Sequence, residues 1–124
     1  MAEIFSLERA NEIVVQIRPL VAELLELRQE ILEKQPQAWP LVEKSAGNGG
    51  GKLASELVQD FERIDRLVKT INATGAILKD INSGLVDFLA MREGREVCLC
   101  WRYDEPEIQY WHDIQAGFAG RQPI

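Results

Sequence analysis

The chain has 124 residues, a formal net charge of −6 and a pI of about 4.8, and 46% of its residues are hydrophobic. This length predicts one domain, 1–124, with enough apolar residues for a proper core. The acidic balance excludes nucleic acid as the main partner, because phosphate backbones require clustered Lys and Arg. No apolar run approaches the ~18–20 residues that span a membrane, and the acidic, amphipathic N-terminus does not resemble a signal peptide, so we expect a cytoplasmic protein.

The first predicted element is a long amphipathic helix, 7–34, with Ser6 as its N-cap. Apolar residues recur at three- and four-residue spacing from Ala10 to Ile31, which predicts one buried stripe. The stripe stays in phase through Pro19, so we expect one bent helix rather than two. A helix of this length measures about 42 Å. It therefore overhangs a compact body or packs against a second chain, which predicts a homo-oligomer, in the simplest case a dimer.

A segment rich in Pro and Gly, 35–51, separates this helix from a second predicted helix, 52–74. Its glycine-rich second half predicts a flexible connector, and Trp39 is the residue in it that we expect to pack down. The segment is not a phosphate-binding loop, because Lys52 is followed by Leu53 rather than by Ser or Thr. The second helix has an apolar stripe and ends before Gly75, and the two helices are expected to form an antiparallel hairpin.

Residues 85–103 predict a β-hairpin with Glu93-Gly94 as its two-residue turn. This turn places Asp87 opposite Cys100, and a bulge at Gly94 is the alternative that would change the pairing. One face of the hairpin is then almost wholly apolar and must be covered; it carries Val86, Phe88, Ala90, Val97, Leu99, Trp101 and Tyr103. The opposite face, which we call the mixed face, carries Leu85, Asp87, Leu89, Cys98, Cys100 and Arg102.

Short strands are predicted on both sides of this hairpin, so the sheet extends over 76–111. The tail, 112–124, contains too many glycines for a helix or strand and is predicted to be irregular. The expected fold class is α+β. It consists of a long antiparallel helical hairpin packed on one face of a small antiparallel β-meander of three or four strands.

Polar side chains on or after the mixed face form the candidate site. Arg102 lies diagonally from Asp87, within reach of an ion pair that is either a structural salt bridge or the floor of a pocket. Further polar groups that could converge on this pair follow it in the chain. The complete candidate polar site is Asp87, Cys100, Arg102, Glu105, His112, Asp113 and Arg121.

Three chemistries fit parts of this set, each beside a simpler structural role. Cys98, Cys100 and His112, with Asp87 or Asp113, are zinc-ligand types, but a C-x-C pair on a flat strand converges poorly, so no cofactor is predicted. Cys100 as a nucleophile needs a lowered pKa, whereas buried cysteines more commonly act as small apolar residues. His112 is either an acid–base group or a hydrogen-bonding residue that pins the C-terminal segment to the hairpin. We expect the two thiols to be free, which fits a reducing compartment.

Short motifs distributed over nearly the whole chain are similar to those of a known family. They are Ser6-Leu7-Glu8-Arg9-Ala10-Asn11, Arg18-Pro19-Leu20, Gly84-Leu85-Val86-Asp87-Phe88, Gly94-Arg95-Glu96-Val97, Leu99-Cys100-Trp101-Arg102, Trp111-His112-Asp113 and Gly117-Phe118-Ala119-Gly120-Arg121-Gln122-Pro123. In these motifs the chain resembles the bacterial family known as domain of unknown function 2203. The resemblance implies a small standalone protein and no particular activity. The motif positions that recur in the family are Asp87, Arg95, Cys100, Trp101, Glu105, Trp111, His112, Gly117 and Arg121.

Two functions of different class are therefore expected. The first is a non-enzymatic interaction or ligand-binding protein that self-associates through its helices and presents the mixed face to a small ligand or protein partner. The second is a small enzyme with an acid–base pocket around Asp87, Arg102 and His112. A closed pocket in which these three residues converge favours the enzyme, whereas a long exposed apolar stripe on 7–34 favours assembly.

Overall fold

The computed structural model describes residues 3–47 and 57–124. These residues form helices α1 (Leu7–Lys34), α2 (Trp39–Ser45) and α3 (Val58–Ala73), and strands β1 (Ile77–Asp80), β2 (Leu85–Arg92), β3 (Arg95–Arg102), β4 (Tyr110–Asp113) and β5 (Gln122–Pro123). The strands form one antiparallel sheet in the order β1-β2-β3-β4-β5. The α+β class is confirmed, with five strands instead of the predicted three or four. In the described part of the chain, no helix has the length and apolarity needed to cross a membrane.

Helix α1 has the predicted bounds and continues through Pro19. The Ser6 Oγ accepts a hydrogen bond from the Arg9 N–H at 3.1 Å, so the predicted N-cap is confirmed. The apolar stripe is buried along the length of the helix, because α3, α2 and the sheet of the same chain cover it; its buried members are Ala10, Ile13, Val14, Ile17, Val21, Leu24, Leu27 and Ile31. The helix therefore does not need a second chain to cover its stripe.

The first part of the predicted connector is helical, which corrects the expectation of a flexible loop for its described residues, 35–47; its glycine-rich end, 48–51, lies outside the described residues. A single 3-10 turn, Pro36–Ala38, leads directly into α2, whose Trp39 and Val42 are buried. The Trp39 indole N–H donates to Asn82 Oδ1 at 3.0 Å, and this amide also accepts from Arg28 Nε at 2.8 Å. These contacts anchor α2. A helix this short has little stability of its own, so burial of Trp39 and Val42 in the core is what stabilises it. The start of the predicted second helix lies outside the described residues; α3 ends at Ala73, one residue before the predicted end.

The central hairpin has the predicted register, with Asp87 opposite Cys100 and Arg92 opposite Arg95. Both turn residues have positive φ, 53° at Glu93 and 81° at Gly94, as a type I′ turn requires. The predicted apolar face is buried in the core, except for the partly buried Tyr103. On this face the Phe88 ring packs edge-on against Phe5, with the centroids 5.2 Å apart.

The end of the chain forms the fifth strand, so the prediction of an irregular tail, 112–124, is wrong in part. Strand β4 extends through Asp113, and the chain then reverses at Gly117, whose φ is 66°. After a 3-10 turn, Phe118–Gly120, strand β5 pairs with β4 and places Pro123 opposite Tyr110. Proline is tolerated there because β5 is the edge strand of the sheet.

Candidate functional site

Asp87, Cys100 and His112 come together on the mixed face, and we call these three residues the Asp–Cys–His cluster. They lie on the neighbouring strands β2, β3 and β4, and the alternation of side chains directs all three to the same face. Their ligand-type atoms all lie within 4.8 Å of one another. Their exposed fractions are 3%, 0% and 2%, respectively, so the cluster is fully buried in the chain.

Hydrogen bonds fix the orientation of the His112 ring. Its Nδ1 lies 2.7 Å from the backbone oxygen of Asp113, so Nδ1 carries a proton and donates it to this carbonyl. Its Nε2 then lies 3.1 Å from Oδ1 of Asp87, within hydrogen-bond distance. Because β3 lies between them, this contact ties β4 to β2 across the sheet.

The thiols of the mixed face are protonated at neutral pH. Burial raises the pKa of Cys100 to about 12, and the negative charge of Asp87, to which the thiol is also hydrogen-bonded, contributes to the increase. Burial likewise raises the pKa of Cys98 to about 11. Both cysteines are free, as expected. The lowered pKa that a nucleophilic Cys100 requires is therefore not provided by its surroundings.

Arg102 lies outside the cluster. Its Nε and Nη2 donate to the two carboxylate oxygens of Asp104 at 2.6 and 3.1 Å, and its guanidinium lies over the Phe118 ring, 5.1 Å from the centroid. The expected ion pair with Asp87 is replaced by this local one. Asp104 is only two residues away, in the turn after β3, so little chain entropy is lost in pairing with it.

Asp113 and Cys98 border the cluster without belonging to it. The Asp113 carboxylate lies 2.6 Å from Nη1 of Arg95. Asp113 therefore orients His112 through its backbone oxygen and not through its side chain. Cys98 is opposite His112 in the β3–β4 register, but the group of ligand-type atoms within 4.8 Å includes Asp87 instead of Cys98. The sequence suggested Cys98, Cys100 and His112 as zinc-ligand types. Of these three residues, the structure brings together Cys100 and His112.

Glu105 and Arg121 form a second buried polar pair, which we call the tail anchor. Arg121 Nη2 donates to both carboxylate oxygens of Glu105, at 2.6 and 2.7 Å, and also contacts the Cys100 backbone oxygen at 3.4 Å. The guanidinium lies over the rings of Tyr110 and Phe118, 4.1 and 4.7 Å from their centroids. These contacts hold the C-terminal tail against the mixed face beside the cluster.

A cleft of about 280 Å³ lies on the mixed face, next to the tail anchor. Its lining consists of Asp80, Ser83, Leu85, Arg102 and Phe118. Asp87 and His112 are not part of this lining. Of the three residues expected to form the acid–base pocket, only Arg102 lines this cleft.

Arg18 is a structurally important residue whose contacts the sequence does not predict. From α1 it donates to the backbone oxygens of Tyr103, Glu105 and Pro106, at distances of 3.3, 3.1 and 2.8 Å. Its guanidinium also lies over the Trp101 ring, 5.1 Å from the centroid. The turn after β3, which carries Glu105, is thus held by α1. The available signal was the position of Arg18 in one of the motifs, which says nothing about its acceptors.

The fold and the cluster define a small α+β protein with buried polar groups on one face of an antiparallel meander. A family model described as "Uncharacterized conserved protein (DUF2203)" matches residues 3–124, and the chain belongs to this family. The family resemblance expected from the motifs is confirmed. A search of curated proteins and a search of solved structures each find no match.

Proposed function

We propose that this protein is a small non-enzymatic binding protein whose ligand contacts the Asp–Cys–His cluster. The observation that carries this proposal is the convergence of three chemically different, buried polar side chains from three neighbouring strands. Burying such groups costs folding free energy, and apolar residues of similar volume are often at least as stabilising. A ligand that uses these groups accounts for their presence.

The cluster supports binding better than it supports catalysis. Acid–base catalysis by Asp87 and His112 is the second candidate function, and their 3.1 Å contact favours it. Arg102, the third member of that expected pocket, is paired with Asp104 instead.

The location of the protein is a further part of this proposal, whereas its assembly is a separate prediction. Two free, buried thiols fit a reducing compartment, so we propose a cytoplasmic protein. Self-association through the helices stays a prediction with less support, because the chain itself covers the apolar stripe of α1. The exposed large hydrophobic residues of that helix are Leu7 and Val15.

The proposed function can be tested with a set of defined probes in a thermal-shift assay. Zinc chloride, inorganic phosphate, citrate and ATP are added separately to the wild-type protein and to the variants His112→Gln and Cys98→Ser. We expect at least one probe to raise the Tm of the wild type, because a ligand that binds the native state stabilises it. The same increase is expected in Cys98→Ser and not in His112→Gln.

Cys98→Ser is the matched control, because Cys98 is buried on the same strand and face as Cys100 but does not belong to the cluster. Circular dichroism establishes that each variant is folded before the probes are added. An increase in Tm that persists in His112→Gln places binding elsewhere and contradicts the proposal, as does the absence of any increase in the wild type.

A further inference from the structure

The donor atoms of the Asp–Cys–His cluster are one sulfur, one nitrogen and one carboxylate oxygen. These are the three atom types that bind Zn²⁺ in proteins, at about 2.0–2.3 Å from the metal. Ligand atoms around a tetrahedral ion with such bonds lie about 3.5 Å apart. The Asp87–His112 separation of 3.1 Å is already close to this value. The longest separation in the cluster, at most 4.8 Å, requires only about 1 Å of side-chain adjustment.

The orientation of His112 is the one that metal-binding histidines have. Such residues donate one ring N–H to a backbone carbonyl or carboxylate, which fixes the tautomer and leaves the other nitrogen for the metal. Here Nδ1 donates to the Asp113 oxygen at 2.7 Å, and Nε2 lies 3.1 Å from Oδ1 of Asp87, with the cluster's ligand-type atoms all within 4.8 Å of one another.

The surroundings of the cluster hold its members in place. Each ligand-type residue lies within a strand of the sheet rather than on a loop. Asp113, whose backbone oxygen orients His112, is itself paired with Arg95 at 2.6 Å. A site built on rigid elements with such outer contacts keeps its donors close to a binding geometry.

We infer that the cluster binds one divalent transition-metal ion of the zinc type, with Asp87, Cys100 and His112 as its protein ligands. This inference rests on the proposed function and names the class of ligand. The carboxylate and the thiolate supply two negative charges, which balance the charge of the ion. On binding, the Cys100 thiol proton passes to solvent, and Asp87 and His112 bind the ion with no proton between them. A water molecule or a small exogenous ligand completes the tetrahedral coordination.

The inference is tested by titrating chelator-treated, full-length protein with zinc chloride and with cobalt chloride. Calorimetry is expected to show one zinc ion per chain. Cobalt is expected to give the near-ultraviolet charge-transfer absorption of a thiolate–cobalt bond. Asp87→Asn, Cys100→Ser and His112→Gln should each weaken zinc binding by more than the roughly 10- to 100-fold that loss of an outer-shell partner causes. Cys98→Ser should bind zinc with the wild-type affinity and keep the absorption.

The wild-type spectrum decides the outcome even where a buried substitution prevents folding. Absence of stoichiometric binding overturns the inference, as does a cobalt complex without the thiolate absorption. Zinc binding that survives in a folded Cys100→Ser variant also overturns it. If zinc and cobalt do not bind while citrate, phosphate or ATP stabilises the protein in a His112-dependent way, the metal inference fails and the proposed function stands. If no probe depends on the cluster, both fail.

Discussion

At the scale of single residues, Arg121 is a charged side chain that is only 10% exposed and is held by an equally buried Glu105. Its Nε has no hydrogen-bond partner among the described residues, so the guanidinium is held by the Glu105 carboxylate, by the Cys100 backbone oxygen and by two aromatic rings. Breaking a buried pair by removing one partner leaves the other charge uncompensated. The fold is therefore expected to be sensitive to loss of a charge at the tail anchor.

We expect Arg121→Met to lower the free energy of unfolding by about 3–5 kcal/mol, because Glu105 is then left buried without its counter-charge. Arg102→Met is the matched control: it also removes an arginine that is paired with a carboxylate and lies over the Phe118 ring, but the Asp104 partner of Arg102 is 64% exposed. That substitution should cost less than about 1 kcal/mol. Urea denaturation measures both values, and equal losses would show that the anchor contributes no special stability.

Asp80 gives the turn between β1 and β2 a dependence on pH. Partial burial raises the pKa of this carboxyl, but hydrogen bonds from Ser83 and Asn82 and the charge of Arg28 together lower it below the ordinary value of 3.8. The folded state therefore favours the ionised carboxylate. Its stabilising contribution is fully present above about pH 4 and is lost as the pH falls through the lower folded-state pKa.

Asp80→Asn is accordingly expected to cost about 1 kcal/mol near neutral pH, through its weakened hydrogen bonds to Asn82 and Ser83. The difference between variant and wild type should shrink as the pH falls below 3.8. Urea denaturation of both proteins from about pH 6 to about pH 2 tests this linkage. A difference that stays constant over this range would mean that ionisation of Asp80 does not stabilise the fold.

At the scale of elements, the β2–β3 turn shows why its register could be predicted. Two adjacent positive φ values match the twist of the strands, and Gly94 accepts one of them without strain. Glu93, at φ 53°, adopts the left-handed conformation that asparagine and glycine tolerate better. Once the turn is fixed, the alternation of side chains determines which residues share a face.

Gly94→Ala is expected to cost about 1–2 kcal/mol, and Glu93→Asn is expected to add up to about 1 kcal/mol of stability. A Cβ atom at Gly94 would meet nothing within 4 Å. A loss of stability in Gly94→Ala would therefore result from the left-handed backbone conformation and not from a steric clash. Thermal and urea denaturation measure the two opposite effects. A neutral Gly94→Ala variant would be inconsistent with the left-handed turn.

At the scale of the whole molecule, the short helix α2 changes the argument about assembly. A 28-residue helix suggests a partner when only one other helix is predicted to cover it. In the fold, Trp39 and Val42 of α2 contribute to the same core as the C-terminal part of α1. The apolar stripe is thus covered within one chain.

We therefore expect multi-angle light scattering to give a molar mass near 14.1 kDa that does not increase with protein concentration. The physical reason is the absence of an uncovered stripe on α1, whose most exposed hydrophobic residue is an isolated valine, Val15, at 75%. An increase towards twice this mass would support the predicted self-association. Val15→Glu, which places a charge on the exposed side of α1, would then show whether the helices form the contact.

The sequence by itself determined the parts of this protein that depend on local pattern. The 3.6-residue period predicted α1 to the residue, and the two-residue turn with strand alternation predicted the opposition of Asp87 and Cys100. Short motifs distributed along the chain identified the family, whose model matches residues 3–124. Each of these signals is contained in a short stretch of chain, so no distant contact is needed to interpret it.

The tertiary structure alone decided which polar residues meet. Arg102 pairs with Asp104 and not with Asp87, His112 crosses β3 to reach Asp87, and the tail forms an edge strand. Each outcome depends on competition among several available partners, and that competition is settled by strand order, burial and the position of the C-terminal segment. Because those are properties of the assembled sheet, residue type and spacing named the candidates but could not select among them.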